Sequence, residues 1–119
     1  MILYINTTDP EKVIIALKDK DRIIKQSKFK AARSQAEKLL PAIEKLLKVS
    51  RMKLRDLEKI EVDNFGGSFT ALRIGVITAN ALGYALGIPV VSANLKGIKK
   101  FKQFSVVEPV YDRPPNIGK

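Results

Sequence analysis

The sequence contains no cysteine and no histidine. Disulfide bonds, thiolate nucleophiles and imidazole bases are therefore excluded. Nearly all zinc sites are excluded as well, because protein zinc sites are built mainly from these two residue types. The lack of cysteine also fits a reducing compartment, and we expect a cytoplasmic protein. The chain opens directly on an apolar segment with no basic leader before it, so we expect no signal peptide.

Acidic side chains are also scarce, with 12 Asp and Glu against 22 Lys and Arg, which gives a net charge of +10. A positive field of this kind favours nucleic acid, acidic proteins or anionic membranes as partners. A solvated, lysine-rich surface explains the same excess, and both interpretations stay open at this point. Charge is almost absent from residues 64–88, where Arg73 is the only charged side chain.

The order of predicted elements indicates a single α/β domain, and 119 residues suffice to bury one core. Apolar, β-prone segments predict strands at residues 1–6, 12–17, 22–29, 59–64, 88–92 and 104–107. Apolar spacings of three and four predict helices at residues 32–48 and 68–86. We expect one mixed sheet of about five strands, with both helices on one face. The second and third strands form an antiparallel hairpin, and strands 59–64 and 89–92 run parallel to the first.

Two shorter features qualify this pattern. Pro41 lies inside the first helix, where it bends the helix or removes one backbone hydrogen bond. Ser50, with Leu54 and Leu57 after it, predicts a capped short turn. Glycines, Arg73 and several hydroxyl groups argue against a membrane span in the second helix, so we expect no membrane association.

The second helix is apolar around its whole circumference, whereas a helix on a small open sheet normally carries charge on its outer face. Gly75, Ala79 and Gly83 form a small-residue ridge at four-residue spacing, which permits close helix–helix approach. The first helix could cover this ridge within the domain. We predict instead that the ridge meets a partner, and that the isolated chain forms a two-fold dimer through the same surface.

The loop before the second helix contains Gly66 and Gly67, and Ser68 follows as a candidate helix cap. Free amides at a helix start can also bind an anion. The loop lacks the lysine and the spacing of a phosphate-binding P-loop. We therefore favour a structural turn with a cap over an anion site.

The run GGSFTALRIG at residues 66–75 resembles the Pro-Gly-Ser-Phe-Thr-Gly-Leu-Arg-Ile-Gly signature of the TsaB (YeaZ) family. Four further blocks are similar to that family in the same order: residues 1–7 (MILYINT), 37–47 (EKLLPAIEKLL), 86–90 (LGIPV) and 108–115 (EPVYDRPP). A chance resemblance is unlikely, because the central run is specific and the blocks occur in the same order as in the family.

The departures from the family pattern bear on function. Asn6 stands where the family usually has an aspartate, and Gln35 stands where it commonly has a histidine. Family members carry a second actin-like domain between the Ile-Pro strand and the tail, but only residues 95–104 fill that gap here. The resemblance therefore implies one actin-like (ASKHA, ribonuclease H-like) domain at residues 1–107, a tail at residues 108–119, and no second domain.

What the resemblance implies about function is a non-catalytic subunit of tRNA threonylcarbamoyladenosine modification. Such subunits pair with a TsaD-type threonylcarbamoyltransferase through the two helices of this domain. We therefore expect no catalytic residue, no metal and no ATP or other cofactor in the chain alone. The expected interface lies on residues 32–48 and 68–86 and consists of Leu39, Leu40, Ile43, Leu47, Phe69, Leu72, Arg73, Val76, Ala79, Asn80 and Gly83.

Further partners follow from the same resemblance and from the charge. A TsaE-type ATPase is implied as another member of the complex, and weak contact with tRNA fits the positive charge. The alternative function is a basic RNA-binding or homodimeric interaction module that reuses the fold. A nucleotide-binding or hydrolytic enzyme is the third class, and the missing histidine, cysteine and P-loop disfavour it.

Overall fold

The computed structural model describes residues 1–65, 69–93, 98–100 and 105–107. Its elements, in chain order, are β1 (Ile2–Asn6), β2 (Lys12–Asp19), β3 (Arg22–Lys30), α1 (Gln35–Val49), a 3-10 turn (Leu54–Asp56), β4 (Lys59–Val62), α2 (Phe69–Leu86), β5 (Val90–Ser92), β6 (Ile98–Lys100) and β7 (Ser105–Val107). The predicted turn at residues 66–67, the predicted cap at Ser68 and the predicted tail at residues 108–119 lie outside the described residues.

A five-stranded mixed sheet has the strand order β3-β2-β1-β4-β5. β1 and β2 are antiparallel, as are β2 and β3, because short turns join them. β4 pairs in parallel with both β1 and β5, since α1 and α2 supply the long crossovers that parallel strands need. The prediction of a single α/β domain with this strand direction is confirmed.

The core lies on one face of the sheet. On β1 the side chains of Leu3 and Ile5 are 0% exposed and point to the helices. Leu39 and Ile43 of α1 and Val76 of α2 belong to the same buried cluster. Both helices therefore pack on the same face, as predicted.

Several element boundaries differ from the predicted ones. α1 begins at Gln35 instead of residue 32, because residues 32–34 form a turn in which Arg33 has φ 61°. Ser50 ends α1, and its N–H donates to the Leu46 carbonyl at 3.2 Å. Asp56, the last residue of the 3-10 turn, stabilises the start of the turn, because its carboxylate accepts the Lys53 N–H at 2.8 Å. The predicted cap at Ser50 is thus corrected, and β6 is a strand that the sequence reading did not include.

Thr7 joins the end of β1 to the first turns of α2. Its buried hydroxyl donates to the Ala71 carbonyl at 2.5 Å and accepts the Gly75 N–H at 3.0 Å. A Cβ at Gly75 would lie 2.6 Å from the Thr7 Oγ1, so only glycine allows this approach. The hydroxyl thereby sets the depth at which α2 lies on the sheet.

We expect Thr7→Val to lower the free energy of unfolding by about 1–3 kcal/mol, because valine has the same shape but leaves buried polar groups without their partner. Urea unfolding at an unchanged m-value measures the loss. Thr8→Val is the matched control, since the Thr8 hydroxyl bonds Asn6 Oδ1 at a partly exposed site. Equal losses in the two variants would contradict the positioning role of Thr7.

No helix in the part of the chain that the structure describes has both the length and the hydropathy to cross a membrane.

Candidate partner interface

The outer face of α2 is exposed and carries two large apolar side chains. This face, which points away from the sheet, consists of Thr70, Arg73, Ile77, Ala81 and Tyr84. The spacings of three and four place these residues in one row, because a helix turns once in 3.6 residues. Ile77 is 58% exposed and Tyr84 is 70% exposed, the two highest values among the exposed large apolar side chains of the described residues.

The small-residue ridge lies on the opposite side of α2, against the domain's own sheet. Ala79 is 0% exposed and belongs to the core. A Cβ at Gly83 would lie 2.2 Å from the Val90 Cγ2. The prediction that the ridge meets a partner helix is therefore wrong. The small residues let α2 approach β1 and β5 closely within the domain.

The structure separates the predicted interface residues into three groups. Seven of them are buried inside the domain and offer no side chain to a partner: Leu39, Ile43, Leu47, Leu72, Val76, Ala79 and Gly83. Leu40 and Arg73 are exposed, and Asn80 is half-buried. The side chain of Phe69 lies outside the described residues.

Leu40 is the predicted α1 residue that reaches the surface, with 47% of its side chain exposed. Lys38, Ala42 and Lys45 line a groove beside β3, so they mark the flank of α1 that faces the sheet edge. Leu40 lies on the other flank, about 200° from Lys38 at 100° per residue. It is therefore on the side of α1 that faces α2, and the two helices contact each other.

Ile77 and Tyr84 are absent from the predicted interface, although a signal for them is present in the sequence. They lie seven residues apart and therefore on one face of the helix. That face is opposite the small-residue ridge. Since small residues permit the closest packing, the large side chains on the other face are those that remain exposed. The sequence analysis predicted that the ridge meets a partner, whereas the ridge is buried and the opposite face of α2 is exposed.

The loop after β1 holds a second polar cluster. The Asn6 amide donates to Tyr4 Oη at 3.0 Å and to Asp63 Oδ2 at 3.4 Å. Asn6 Oδ1 accepts the Thr8 N–H at 2.9 Å and the Thr8 hydroxyl at 2.7 Å. Burial raises the pKa of the Tyr4 phenol, so this group stays neutral as an acceptor. Asn6 is uncharged, and the polar atoms of its side chain are hydrogen-bonded to other residues of the domain.

The other position where the family pattern is broken also has a structural role. Gln35 is buried, and its Nε2 donates to the Asp9 carbonyl at 2.7 Å. This bond ties the start of α1 to the β1–β2 loop. Among the described residues, no group of three or more acidic side chains is placed to hold a metal ion.

Comparison with known proteins places this domain in a family. Residues 25–95, more than half of the chain, match the family model described as TsaD, tRNA N6-adenosine threonylcarbamoyltransferase. A solved structure, YeaZ from Pseudomonas aeruginosa, superposes with a TM-score of 0.70 and 27% identity over 77% of this chain and 42% of that one. The chain belongs to the TsaD/TsaB (YeaZ) family.

Two individual proteins illustrate how far the similarity extends. The TsaB protein of Bacillus subtilis is 36% identical over 76 residues, which are 64% of this chain and 33% of the relative. An uncharacterized protein of Mycobacterium tuberculosis strain H37Rv is 33% identical over 90 residues, 75% of this chain and 43% of the relative. The chain thus spans less than half the length of these relatives. Both helices lie wholly within the matched residues 25–95.

Proposed function

We propose that the chain is a non-catalytic partner subunit in the biosynthesis of tRNA threonylcarbamoyladenosine. Its outer face of α2, together with Leu40, binds a TsaD-type threonylcarbamoyltransferase. The exposure of Ile77 and Tyr84 carries this proposal, because these large side chains are exposed on a helix whose opposite face is buried in the core. That helix lies in the segment shared with the TsaD/TsaB (YeaZ) family.

The geometry suits a helix-mediated interface. Residues 70 and 84 are separated by about 21 Å along the axis at 1.5 Å per residue, and Leu40 extends the surface onto the neighbouring helix. Stable protein interfaces bury about 800 Å² per partner, and tyrosine is enriched among the residues that dominate binding. Two adjacent helices can supply such an area. Arg73 is the only charged residue of the outer face, so the contact is mainly apolar.

The residues of the β1 loop support a non-catalytic role. Asn6 carries no negative charge, and both ends of its amide are already bonded to Tyr4, Asp63 and Thr8. The sequence offers no histidine or cysteine as a base or nucleophile. In this proposal the transfer chemistry belongs to the partner, and a TsaE-type ATPase joins the same assembly in the cytoplasm.

The same exposed face would also pair two copies of the chain when the transferase is absent, because an apolar patch of this kind rarely remains solvated. Homodimer and heterodimer would then compete for Ile77 and Tyr84. The alternative function, a basic RNA-binding module with weak tRNA contact, is favoured by the net charge of +10. Its affinity would fall steeply with salt, whereas an apolar protein contact would not.

We expect the purified chain and the TsaD-type transferase of the same organism to form a stable complex at micromolar concentration. Size-exclusion chromatography with light scattering, at 50 mM and 500 mM salt, measures the assembly. A complex that persists at high salt is expected from an apolar interface. Absence of a complex at both salt concentrations, with tRNA bound only at the lower one, would contradict the scaffold role and favour the alternative.

A further inference from the structure

A groove lies between α1 and β3, on the side of the domain that the proposed transferase interface does not use. Its floor is apolar and includes Phe29 of β3 and Ala42 and Leu46 of α1. Val49, which is 55% exposed, also lines the groove. The cavity measures about 420 Å³, which falls in the range of about 300–1,000 Å³ that is usual for binding pockets.

The rim of the groove is positively charged. Lys25 of β3 and Lys38 and Lys45 of α1 line it, and all three are exposed. None of them forms a salt bridge with a carboxylate of the described residues. No acidic side chain in the described part of the chain lines the groove. Three lysine side chains, from β3 and α1, therefore line one groove with an apolar floor.

The second feature is the free edge of the sheet. β3 is the terminal strand in the order β3-β2-β1-β4-β5, so half of its backbone N–H and C=O groups have no strand to pair with among the described residues. Such an edge is a template for an added strand. The groove runs along this edge, so side chains of an added strand would reach the apolar floor.

The charge of β3 indicates which kind of strand can pair with its free edge. Lysine on an edge strand is a common device against pairing between copies of one chain, because like charges then face each other. β3 carries Arg22, Lys25, Lys28 and Lys30 and no acidic residue. The same cations that repel a second copy attract an acidic segment. An apolar floor beside a free backbone edge fits a peptide better than it fits RNA, since only a peptide can pair its backbone amides with the edge strand.

We propose that the β3–α1 groove binds an extended, acidic peptide segment of another protein as an added strand on β3. The backbone of the segment pairs with β3, its apolar side chains enter the groove over Phe29 and Leu46, and its carboxylates meet the rim lysines. This site is independent of the outer face of α2.

The probe is a fluorescent octapeptide of sequence Glu-Thr-Val-Thr-Val-Thr-Glu-Thr, which places its valine and glutamate side chains on the same face of an extended strand. Fluorescence anisotropy measures its affinity for the full chain. We expect the double variant Lys38→Glu/Lys45→Glu to weaken binding at least tenfold. The control Lys20→Glu/Lys53→Glu changes the net charge equally at exposed sites outside the groove and should weaken binding less than threefold. The same peptide with an N-methyl group on every residue, which has no N–H donor on either edge to pair with β3, should bind at least tenfold more weakly.

Equal losses in the two double variants would overturn the proposal, because the attraction would then be general. Equal binding of the N-methylated peptide would overturn strand addition. Tighter binding of octauridylate than of the peptide, with a tenfold loss in the groove variant, would assign the groove to nucleic acid instead. Probe binding by an Ile77→Glu variant should match the unmodified chain. This last measurement keeps the groove test separate from the test of the transferase interface.

Discussion

Ala79→Glu is expected to leave the domain unfolded at room temperature. Ala79 is 0% exposed and packs in the cluster formed by the sheet and both helices. An unpaired carboxylate at such a position costs several kcal/mol even after the surroundings relax. That cost is comparable with the total stability of a small domain, about 5–15 kcal/mol. Far-UV circular dichroism and amide NMR dispersion measure the loss of structure.

The matched control is Ala81→Glu, which makes the same substitution two residues later on the exposed side of α2. A surface substitution of this kind is usually within about 0.5 kcal/mol of neutral. The Ala81 variant should therefore keep the melting temperature of the unmodified chain within a few degrees. If Ala79→Glu folds normally and only Ala81→Glu unfolds, α2 is rotated relative to the described packing, and the ridge faces outward.

Ile77→Glu is expected to abolish binding of the TsaD-type transferase at concentrations where the unmodified chain is saturated. Ile77 is 58% exposed in the free chain. The variant therefore folds normally, whereas in a complex it would place a carboxylate in an apolar interface. A dominant interface residue contributes about 2 kcal/mol or more, which corresponds to at least a twenty- to thirtyfold loss of affinity. Isothermal titration calorimetry against the transferase measures this change.

Ile23→Glu is the control for this experiment. Ile23 is 53% exposed, so Ile23→Glu matches Ile77→Glu in residue type, exposure and change of charge. It lies on β3, the edge strand, and not on α2. We expect it to bind the transferase like the unmodified chain. Sedimentation of the free chain adds a second comparison, since the proposed homodimer should dissociate with Ile77→Glu and persist with Ile23→Glu. Unaltered transferase binding by Ile77→Glu would refute the assignment of the outer face.

Together the two substitution pairs distinguish packing from recognition on one helix. Ala79 tests the side of α2 that faces the sheet, and Ile77 tests the side that faces away. A residue used only for packing affects binding through unfolding alone. A residue used only for recognition changes affinity at constant melting temperature. Thermal melting and titration on the same preparation therefore assign each position.

The sequence by itself determined the class of fold and the direction of the strands. Apolar segments predicted β1 and β2, and the spacing of Leu39, Ile43 and Leu46 predicted that α1 is a helix, although Leu39 and Ile43 were expected at a partner interface and are buried in the core instead. These signals are local, because strand alternation and helix periodicity depend only on neighbouring residues. The resemblance of residues 66–75 to the TsaB (YeaZ) family signature added the topology, since it indicates how the elements connect.

Only the tertiary structure decided which way α2 faces. A helix that is apolar on every side has no polar stripe to orient it, so periodicity cannot distinguish the core side from the partner side. The contact between Thr7 and Gly75, and that between Val90 and Gly83, orient it instead. Both contacts join residues far apart in the chain. They bury the small-residue ridge and leave Ile77 and Tyr84 at the surface, because glycine and alanine allow the closest approach to the sheet.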